Sequence, residues 1–405
     1  MTPSSTRSRS VQSEQAGRFG RQLGPILLLT SIFFLNFISR IILAPLMPDM
    51  VTRLHLSNVQ AGSFFFFISL GYFSTLLGSG FLSAYLTHKK TITGSTVALG
   101  LALFIISLGQ EIWSIRLGLI LLGMAAGPYI PSGIATLTTL TTSAHWGKAI
   151  AIHELAPNLG FIVAPLLVEA MLLQFSWRAV FVLLGLLAWI LGIIFARFGR
   201  GGEFKGQLPN VASMKAIFSN PTFWIMVVLF SLGISGTLGI FTMLPLYLVD
   251  EHGFDRNWAN TLIALSRIAG MGVVFFGGWA ADRFGPRRIL RIVFILSGLL
   301  TFLLGMASTH WLTAIIILQP VVAVCFFPAG LAAISMITSP KERNIAVSLT
   351  VPLAFLFGGG AIPAMIGFIG DLGSFKWGFS LVGIFILIGA LLPGYLKFYS
   401  DSRKM

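Results

Sequence analysis

The chain has few charged residues, and acidic residues are the scarcest of them. Asp, Glu, Lys and Arg make up only 10% of its 405 residues, with 13 acidic against 27 basic side chains. Soluble globular proteins carry about 25% charged residues. A water-exposed surface cannot be assembled from this composition, so an ordinary soluble protein is excluded.

Cysteine is almost absent as well. The single residue, Cys325, excludes an intramolecular disulfide and any metal site built from several cysteines. The first apolar run is not followed by an A-x-A-like cleavage site. We therefore expect the chain from Leu23 onward to form a retained transmembrane helix rather than a signal peptide.

Apolar residues are what the chain has in excess. They make up 56% of the sequence, and the mean hydropathy is +0.89. Twelve apolar stretches between residues 24 and 396 are each about 20 residues or longer, which is enough to cross a bilayer. The sequence predicts an all-α membrane protein with twelve transmembrane helices. Its expected parts are an N-terminal tail (1–22), a six-helix bundle (23–196), a linker (197–219), a second six-helix bundle (220–396) and a C-terminal tail (397–405).

The formal net charge of +14 would suggest a nucleic-acid partner for a soluble protein. Here most basic residues fall in the tails and in alternate loops, and few fall in the other loops. This asymmetry is typical of membrane topology, with positive loops in the cytoplasm. It predicts cytoplasmic N- and C-termini, an inner-membrane location and no nucleic-acid partner. Two basic residues, Arg40 and Arg267, fall inside predicted spans.

The two halves of the chain repeat at an offset of about 200 residues. Parallel repeats of this kind form two pseudo-symmetric six-helix bundles, with a substrate site near the midplane and alternating access. The landmark pairs are Pro45 and Pro245, Gly80-Lys89-Lys90 and Gly278-Arg287-Arg288, Pro131 and Pro328, and Trp177 and Trp377.

The segment from Gly278 to Arg288 resembles the loop between helices 8 and 9 of the major facilitator superfamily, whose pattern is G-x-x-x-D-R-x-G-R-[RK]. This copy departs from the pattern only at Pro286, whereas the N-terminal copy has Ala84 and Tyr85 in place of Asp and Arg. The resemblance implies a secondary transporter. It also implies a gating loop of Gly278, Asp282, Arg283, Gly285, Arg287 and Arg288.

Arg40 is the first candidate substrate ligand, with Asn36 one turn earlier on the same face. An Arg within a span costs about 2.5–3.5 kcal/mol on insertion scales and marks a functional site. The segment Arg40 to Pro48, followed by a helix with Gly71-Tyr72, resembles the organophosphate/phosphate exchangers and anion/cation symporters. In those relatives the helix 1 Arg contacts the anionic substrate. The repeat partner of Arg40 is Ile240, so a second Arg is missing from helix 7.

Arg267 resembles in placement the helix 8 Arg of monocarboxylate transporters. Two guanidinium groups facing one cavity would hold a carboxylate, phosphate or sulfonate by bidentate hydrogen bonds. The alternative is that each Arg pairs with carbonyls or with Glu154. Three further residues can line the site or serve packing and carbonyl bonding instead: Tyr72, Tyr129 and Gln319. The phenylalanines, including Phe64 to Phe67, are interpreted as lipid-facing.

Glu154, preceded by His153, is an acidic residue well inside a predicted span. A buried carboxyl beside an imidazole is a reasonable proton carrier, and a conformational salt bridge is the alternative. No second His follows at the spacing of a zinc peptidase, so no metal is expected.

Together these features predict a monomeric secondary transporter that moves a small organic anion, such as a carboxylate or sugar acid, by proton symport and without a cofactor. The first alternative is a drug/proton exporter, which favours cavity acids over paired arginines. The second is a polytopic membrane enzyme, which requires clustered acids or histidines at the membrane surface.

Overall fold

The computed structural model describes residues 4–206, 208, 211–338 and 343–399, and this part of the chain is almost entirely helical. Twelve helices in it are long and apolar enough to cross a membrane. We number them span 1 to span 12: Gln22–Leu54, Asn58–Tyr85, His88–Leu108, Ile112–Leu140, Ser143–Leu172, Trp177–Phe198, Pro221–Asp250, Arg256–Phe284, Pro286–Met306, Thr309–Met336, Ile345–Asp371 and Phe375–Tyr395. The all-α fold with twelve spans is confirmed.

Six spans are interrupted near their middle. Span 1 consists of helices Ser4–Ile41 and Leu43–Leu54, span 4 of Ile112–Ala126 and Tyr129–Leu140, and span 5 of Trp146–His153 and Leu155–Leu172. Span 7 contains a π-helical segment, Ser235–Gly239, between Pro221–Ile234 and Ile240–Asp250. Span 10 consists of Thr309–Ala323 and Phe326–Met336. Span 11 has a second π-helical segment, Phe355–Ala361, between Arg343–Ala354 and Ile362–Asp371.

The interruptions follow the sequence repeat. Spans 1, 4 and 5 are broken in the first half, and spans 7, 10 and 11 are broken in the second. The causes are local: Pro45 has no N–H to bond the Ile41 carbonyl, and the helix breaks at Ile42. Irregular backbone in a membrane is tolerated only where protein or a cavity covers it. The broken spans therefore indicate where the interior site lies.

Within the first half, spans 2 and 4 pack backbone against backbone. A Cβ added to Gly71 would lie 2.1 Å from the Ile120 carbonyl oxygen, and one added to Gly123 would lie 2.1 Å from that of Ile68. Small residues allow this close approach of membrane helices.

The two halves contact each other through spans 1 and 7, 2 and 11, and 5 and 8. We call the side that carries the linker (197–219) the linker side and the opposite side the far side. The contacts between spans 1 and 7 and between spans 5 and 8 involve the helices Leu43–Leu54, Ile240–Asp250 and Leu155–Leu172, which are the far-side halves of their spans. The halves are therefore joined mainly at the far side.

On the linker side, the start of the linker packs along the loop between spans 2 and 3. The Lys89 amide donates to the Gly202 carbonyl at 2.7 Å, and the Gly206 amide donates to the Ser83 carbonyl at 2.8 Å. The Phe204 and His88 rings lie 4.7 Å apart. The loop between spans 2 and 3, which has Ala84 and Tyr85 in place of the family's Asp and Arg, is thus held by backbone hydrogen bonds to the linker.

Candidate functional site

Arg40 lies at the break of span 1 and is only 7% exposed. Its guanidinium carbon lies 4.3 Å from the ring centre of Tyr72, 5.3 Å from that of Phe37 and 5.6 Å from that of Phe355. No acidic side chain of the described residues forms a salt bridge with it. Its Nε is buried without a hydrogen-bond partner. Arg40 is therefore a buried cation surrounded by aromatic rings, with its charge uncompensated.

The guanidinium opens onto a pocket between the two halves. In this conformation the free interior of the cavity is small, with room for about one water molecule, so the lining side chains close around the Arg40 guanidinium. The cavity is lined by spans 1, 2, 7 and 11, through Arg40, Ile41, Phe65, Ile68, Ser69, Tyr72, Leu238, Thr242, Phe355 and Gly359.

Most of these lining residues were missed by sequence reasoning. Phe64 and Phe65 are 0% and 3% exposed, so the interpretation of both as lipid-facing was wrong. A usable signal was present in span 2, because Phe65, Ile68 and Tyr72 recur every three to four residues on one helical face. Phe355 carried no such signal, since it reaches the site from a different half of the chain.

Arg267 lies in span 8 and does not line this pocket. Its Nη2 donates to the Thr237 carbonyl at 3.1 Å, and its guanidinium carbon lies 4.5 Å from the ring centre of Phe161. Phe161 in turn packs on Phe37, with ring centres 5.1 Å apart, and Phe37 touches Arg40. The structure therefore places two phenylalanine rings between the two guanidinium groups.

Asn36 and Gln319 are both 2% exposed and bond to backbone at interrupted spans. The Asn36 amide donates to the Ala126 carbonyl at 3.0 Å, next to the break of span 4. The Gln319 amide donates at 2.7 Å to the carbonyl of Gly236, within the π-helical segment of span 7. In this conformation both side chains satisfy carbonyls and neither lines the Arg40 pocket.

Tyr129, His153 and Glu154 form a chain of polar contacts between spans 4 and 5. The Tyr129 hydroxyl donates to the Leu29 carbonyl at 2.7 Å and lies 3.1 Å from His153 Nε2. Because that hydroxyl proton is engaged, Nε2 of His153 is assigned as the donor to Tyr129. His153 Nδ1 lies 3.6 Å from the Glu154 carboxylate. His153 is completely buried, whereas the Glu154 side chain is 52% exposed.

The gating loop lies between spans 8 and 9. Gly285 adopts a φ of +83°, which favours glycine, and Pro286 begins span 9. Arg287 donates to the Leu396 carbonyl and lies 4.1 Å from the Phe398 ring centre. Asp282, Arg283 and Arg288 are exposed, and Gly278 lies near Pro328 of span 10. The loop is thus attached to the segment that follows span 12.

At the far side, polar residues join the two halves, and sequence reasoning had assigned none of them to a site. Arg256 Nε donates to the Glu169 carboxylate at 3.1 Å, and the Asn260 amide donates to it at 2.6 Å. Arg256 also lies 3.7 Å from Asp49, which pairs with Arg53 at 2.8 Å. We call Asp49, Arg53, Glu169, Arg256 and Asn260 the far-side cluster.

A second polar contact at the far side links spans 2 and 11. The Asp371 carboxylate accepts from the backbone amides of Asn58 and Val59 at 2.7 and 2.9 Å. A carboxylate at a helix N-terminus is favoured by the unpaired amides and the helix dipole. The far side is therefore held by charged groups that span the two halves.

Comparison with known proteins agrees with this architecture. The family model of the Major Facilitator Superfamily matches residues 29–279 and 259–404. The "Probable L-galactonate transporter" of Escherichia coli (strain K12) is 23% identical over 95% of this chain and 91% of that protein. "Multidrug resistance protein 2" of Bacillus subtilis (strain 168) is 22% identical over 90% of this chain and 92% of that protein.

Among solved structures, the chain superposes with a TM-score of 0.80 on a bacterial homolog of the human lysosomal transporter Spinster, at 14% sequence identity. That structure is in an inward-facing and unoccupied conformation. The superposition covers 94% of this chain and 99% of that one. Twelve spans, two repeated halves and a family model that covers nearly the whole chain lead to one conclusion. The chain belongs to the major facilitator superfamily and is a multi-pass membrane transporter, not an enzyme.

Proposed function

We propose that this secondary transporter moves a small organic anion, which Arg40 binds between the two halves. The observation that carries the proposal is the uncompensated charge of Arg40 in a pocket lined by both halves. A buried cation without a counter-ion is costly unless an anionic ligand pairs with it or water solvates it. Bidentate hydrogen bonds from a guanidinium suit a carboxylate.

The proposed transport cycle is alternating access, with the two halves closed at the far side in the conformation described above. Contacts through the far-side cluster and Asp371 support this assignment. We assign the linker side to the cytoplasm, because the positive loops lie there. The chain then functions as a monomer in the inner membrane, with both termini cytoplasmic.

The proposed coupling ion is the proton, carried by His153 and Glu154. Neutral His153 with Nε2 as donor has a free lone pair on Nδ1, which faces the Glu154 carboxylate. Proton uptake there creates an ion pair across 3.6 Å at the break of span 5, where the helix Trp146–His153 ends.

A drug/proton exporter is the second candidate, and the observation in its favour is the half-exposed carboxylate of Glu154. An acid of this kind would attract a cationic drug. The ring-covered Arg40 repels such a substrate at the pocket itself, so the anion proposal fits the geometry better.

Uptake into proteoliposomes tests the proposal. The variant Arg40→Gln is expected to lose anion uptake by about tenfold or more, since a charge-assisted hydrogen bond is worth about 1.5–3 kcal/mol. Arg178→Gln is the matched control, because Arg178 caps the Gly109 carbonyl at 3.0 Å, away from the pocket. Anion uptake that survives in Arg40→Gln, or export of cationic drugs by the parent protein, would contradict the proposal.

A further inference from the structure

The lining of the Arg40 pocket restricts which anion it accepts. We propose that the substrate is a monocarboxylate with an apolar, preferably aromatic, body rather than a polyhydroxylated sugar acid or a dianion. This inference rests on the proposed function and names the substrate class of the same site.

The first argument is the number of positive charges. Among the residues that the structure describes, Arg40 is the one basic residue in the cavity lining. Arg267 is separated from it by the rings of Phe37 and Phe161 and donates to the Thr237 carbonyl. One guanidinium neutralises one carboxylate. A phosphate dianion or dicarboxylate would leave a negative charge buried without a partner, which is strongly unfavourable.

The second argument is the scarcity of hydrogen-bonding groups. Within the described part of the chain, the polar side chains of the lining apart from Arg40 are those of Ser69, Tyr72 and Thr242. The Thr242 hydroxyl already donates to the Gly239 carbonyl at 2.7 Å. A sugar acid carries a hydroxyl on nearly every carbon, and each buried hydroxyl without a partner weakens binding by about tenfold.

The third argument is the shape and chemistry of the rings. Phe65, Tyr72 and Phe355 lie around the cavity, with Tyr72 and Phe355 ring centres 5.4 Å apart. Aromatic side chains favour offset or edge-to-face contact with another ring. Ile68 and Leu238 add aliphatic surface. A carboxylate on Arg40 would thus place a flat apolar body among these side chains.

The inference is tested with the full-length protein in proteoliposomes. Two sets of radiolabelled probes are compared. The aromatic acids are benzoate and phenylacetate, and the sugar acids are gluconate and galactonate. We expect uptake of the aromatic acids, with competition by their unlabelled forms and a loss of about tenfold or more in Arg40→Gln. The sugar acids are expected to compete at least about tenfold more weakly.

A second variant separates selectivity from folding. Phe355→Leu should lower the affinity for the aromatic acids several-fold more than the affinity for small aliphatic monocarboxylates such as propionate. Phe275→Leu is the matched control, because this phenylalanine of span 8 is 76% exposed and away from the pocket. Both variants should purify as monodisperse protein.

Each outcome decides between the two proposals. Arg40-dependent uptake of gluconate or galactonate, with no response to the aromatic acids, overturns the substrate class but leaves the anion transporter intact. Arg40-dependent uptake of a phosphate ester would likewise overturn the proposed substrate class and leave the anion transporter intact. If no acid of either set is bound or transported, the substrate class and the anion function both fail.

Discussion

Arg40 is stabilised by contacts that leave its charge in place. A guanidinium within a span costs about 2.5–3.5 kcal/mol on insertion scales. Contacts with the rings of Phe37, Tyr72 and Phe355 offset part of that cost, since each cation–π contact contributes about 0.5–2 kcal/mol. Unlike a carboxylate partner, a ring does not neutralise the cation. The residue therefore remains attractive to an anion.

The buried guanidinium of Arg267 is stabilised differently from that of Arg40, because it also donates a hydrogen bond to a backbone carbonyl. It bonds to the Thr237 carbonyl in the π-helical segment of span 7 and lies against the rings of Phe161 and Phe241. Both arginines were identifiable from the sequence, because a charge inside an apolar stretch is conspicuous. The phenylalanine rings that lie between them could not be identified from the sequence, because their position depends on how spans 1, 5 and 8 pack against each other.

At the residue scale, Glu154 provides the test of proton coupling. Glu154→Gln is expected to abolish accumulation driven by a pH difference, because the neutral amide cannot pair with a protonated His153. Exchange of substrate across the membrane in the absence of a gradient should persist. The measurement is the ratio of internal to external substrate, which should fall to about one, as expected without coupling to a proton gradient.

The control for this variant is Glu111→Gln, which changes an acidic residue at the start of span 4 without touching His153. Concentrative uptake by Glu154→Gln on a pH difference alone would rule out the proposed proton carrier. Loss of exchange as well as accumulation would assign Glu154 to the conformational change instead of the coupling.

At the scale of the elements, the broken spans were partly predictable. The repeat landmark Pro45 and the proline at position 128 lie next to breaks in the structure, since a proline removes a helical hydrogen bond. The π-helical segment Ser235–Gly239 contains no proline. No local signal marked it, and its Gly236 and Thr237 carbonyls accept hydrogen bonds from Gln319 and Arg267, which come from other spans.

Close packing of spans 2 and 4 leads to a stability prediction. Gly123→Ala should destabilise the protein by about 1–3 kcal/mol, because its new Cβ would meet the Ile68 carbonyl and force the helices apart. Gly78→Ala is the control, since nothing lies within 4 Å of the Cβ that it would add. Thermal unfolding in detergent compares the two. Equal melting temperatures would show that spans 2 and 4 do not need this approach.

At the scale of the whole molecule, the far-side cluster joins the halves with groups of limited exposure. The Glu169 side chain is 10% exposed and that of Arg256 is 32% exposed. Loss of one partner leaves a poorly solvated charge, which destabilises the closed arrangement. We therefore expect the cluster to favour the state that is closed at the far side over a state that is open there.

Substitution of Glu169 tests that role. Glu169→Gln should raise the population open at the far side by about tenfold or more, because Arg256 and Asn260 lose a charged acceptor. Spin labels on Thr52→Cys and Asn257→Cys, in a Cys325→Ala background, measure the distance between spans 1 and 8. The fraction of molecules with a longer distance between the two labels is expected to increase in Glu169→Gln.

Arg53→Gln is the matched control for this experiment. Arg53 pairs with Asp49 on its own helix and its side chain is 57% exposed, so its removal should cost little. An unchanged distance distribution in Glu169→Gln would show that the far side is held by apolar packing alone.

The sequence by itself determined the membrane class, the twelve spans, the repeated halves and the two intramembrane arginines. These features depend on local composition, on the length of apolar runs and on spacing along the chain, and all three can be counted. Only the tertiary structure decided that Tyr72 and Phe355 flank Arg40, that phenylalanine rings separate the arginines, and that Glu169 pairs with Arg256. These contacts join spans far apart in the chain, and their formation depends on how helix surfaces fit together, which no local pattern encodes.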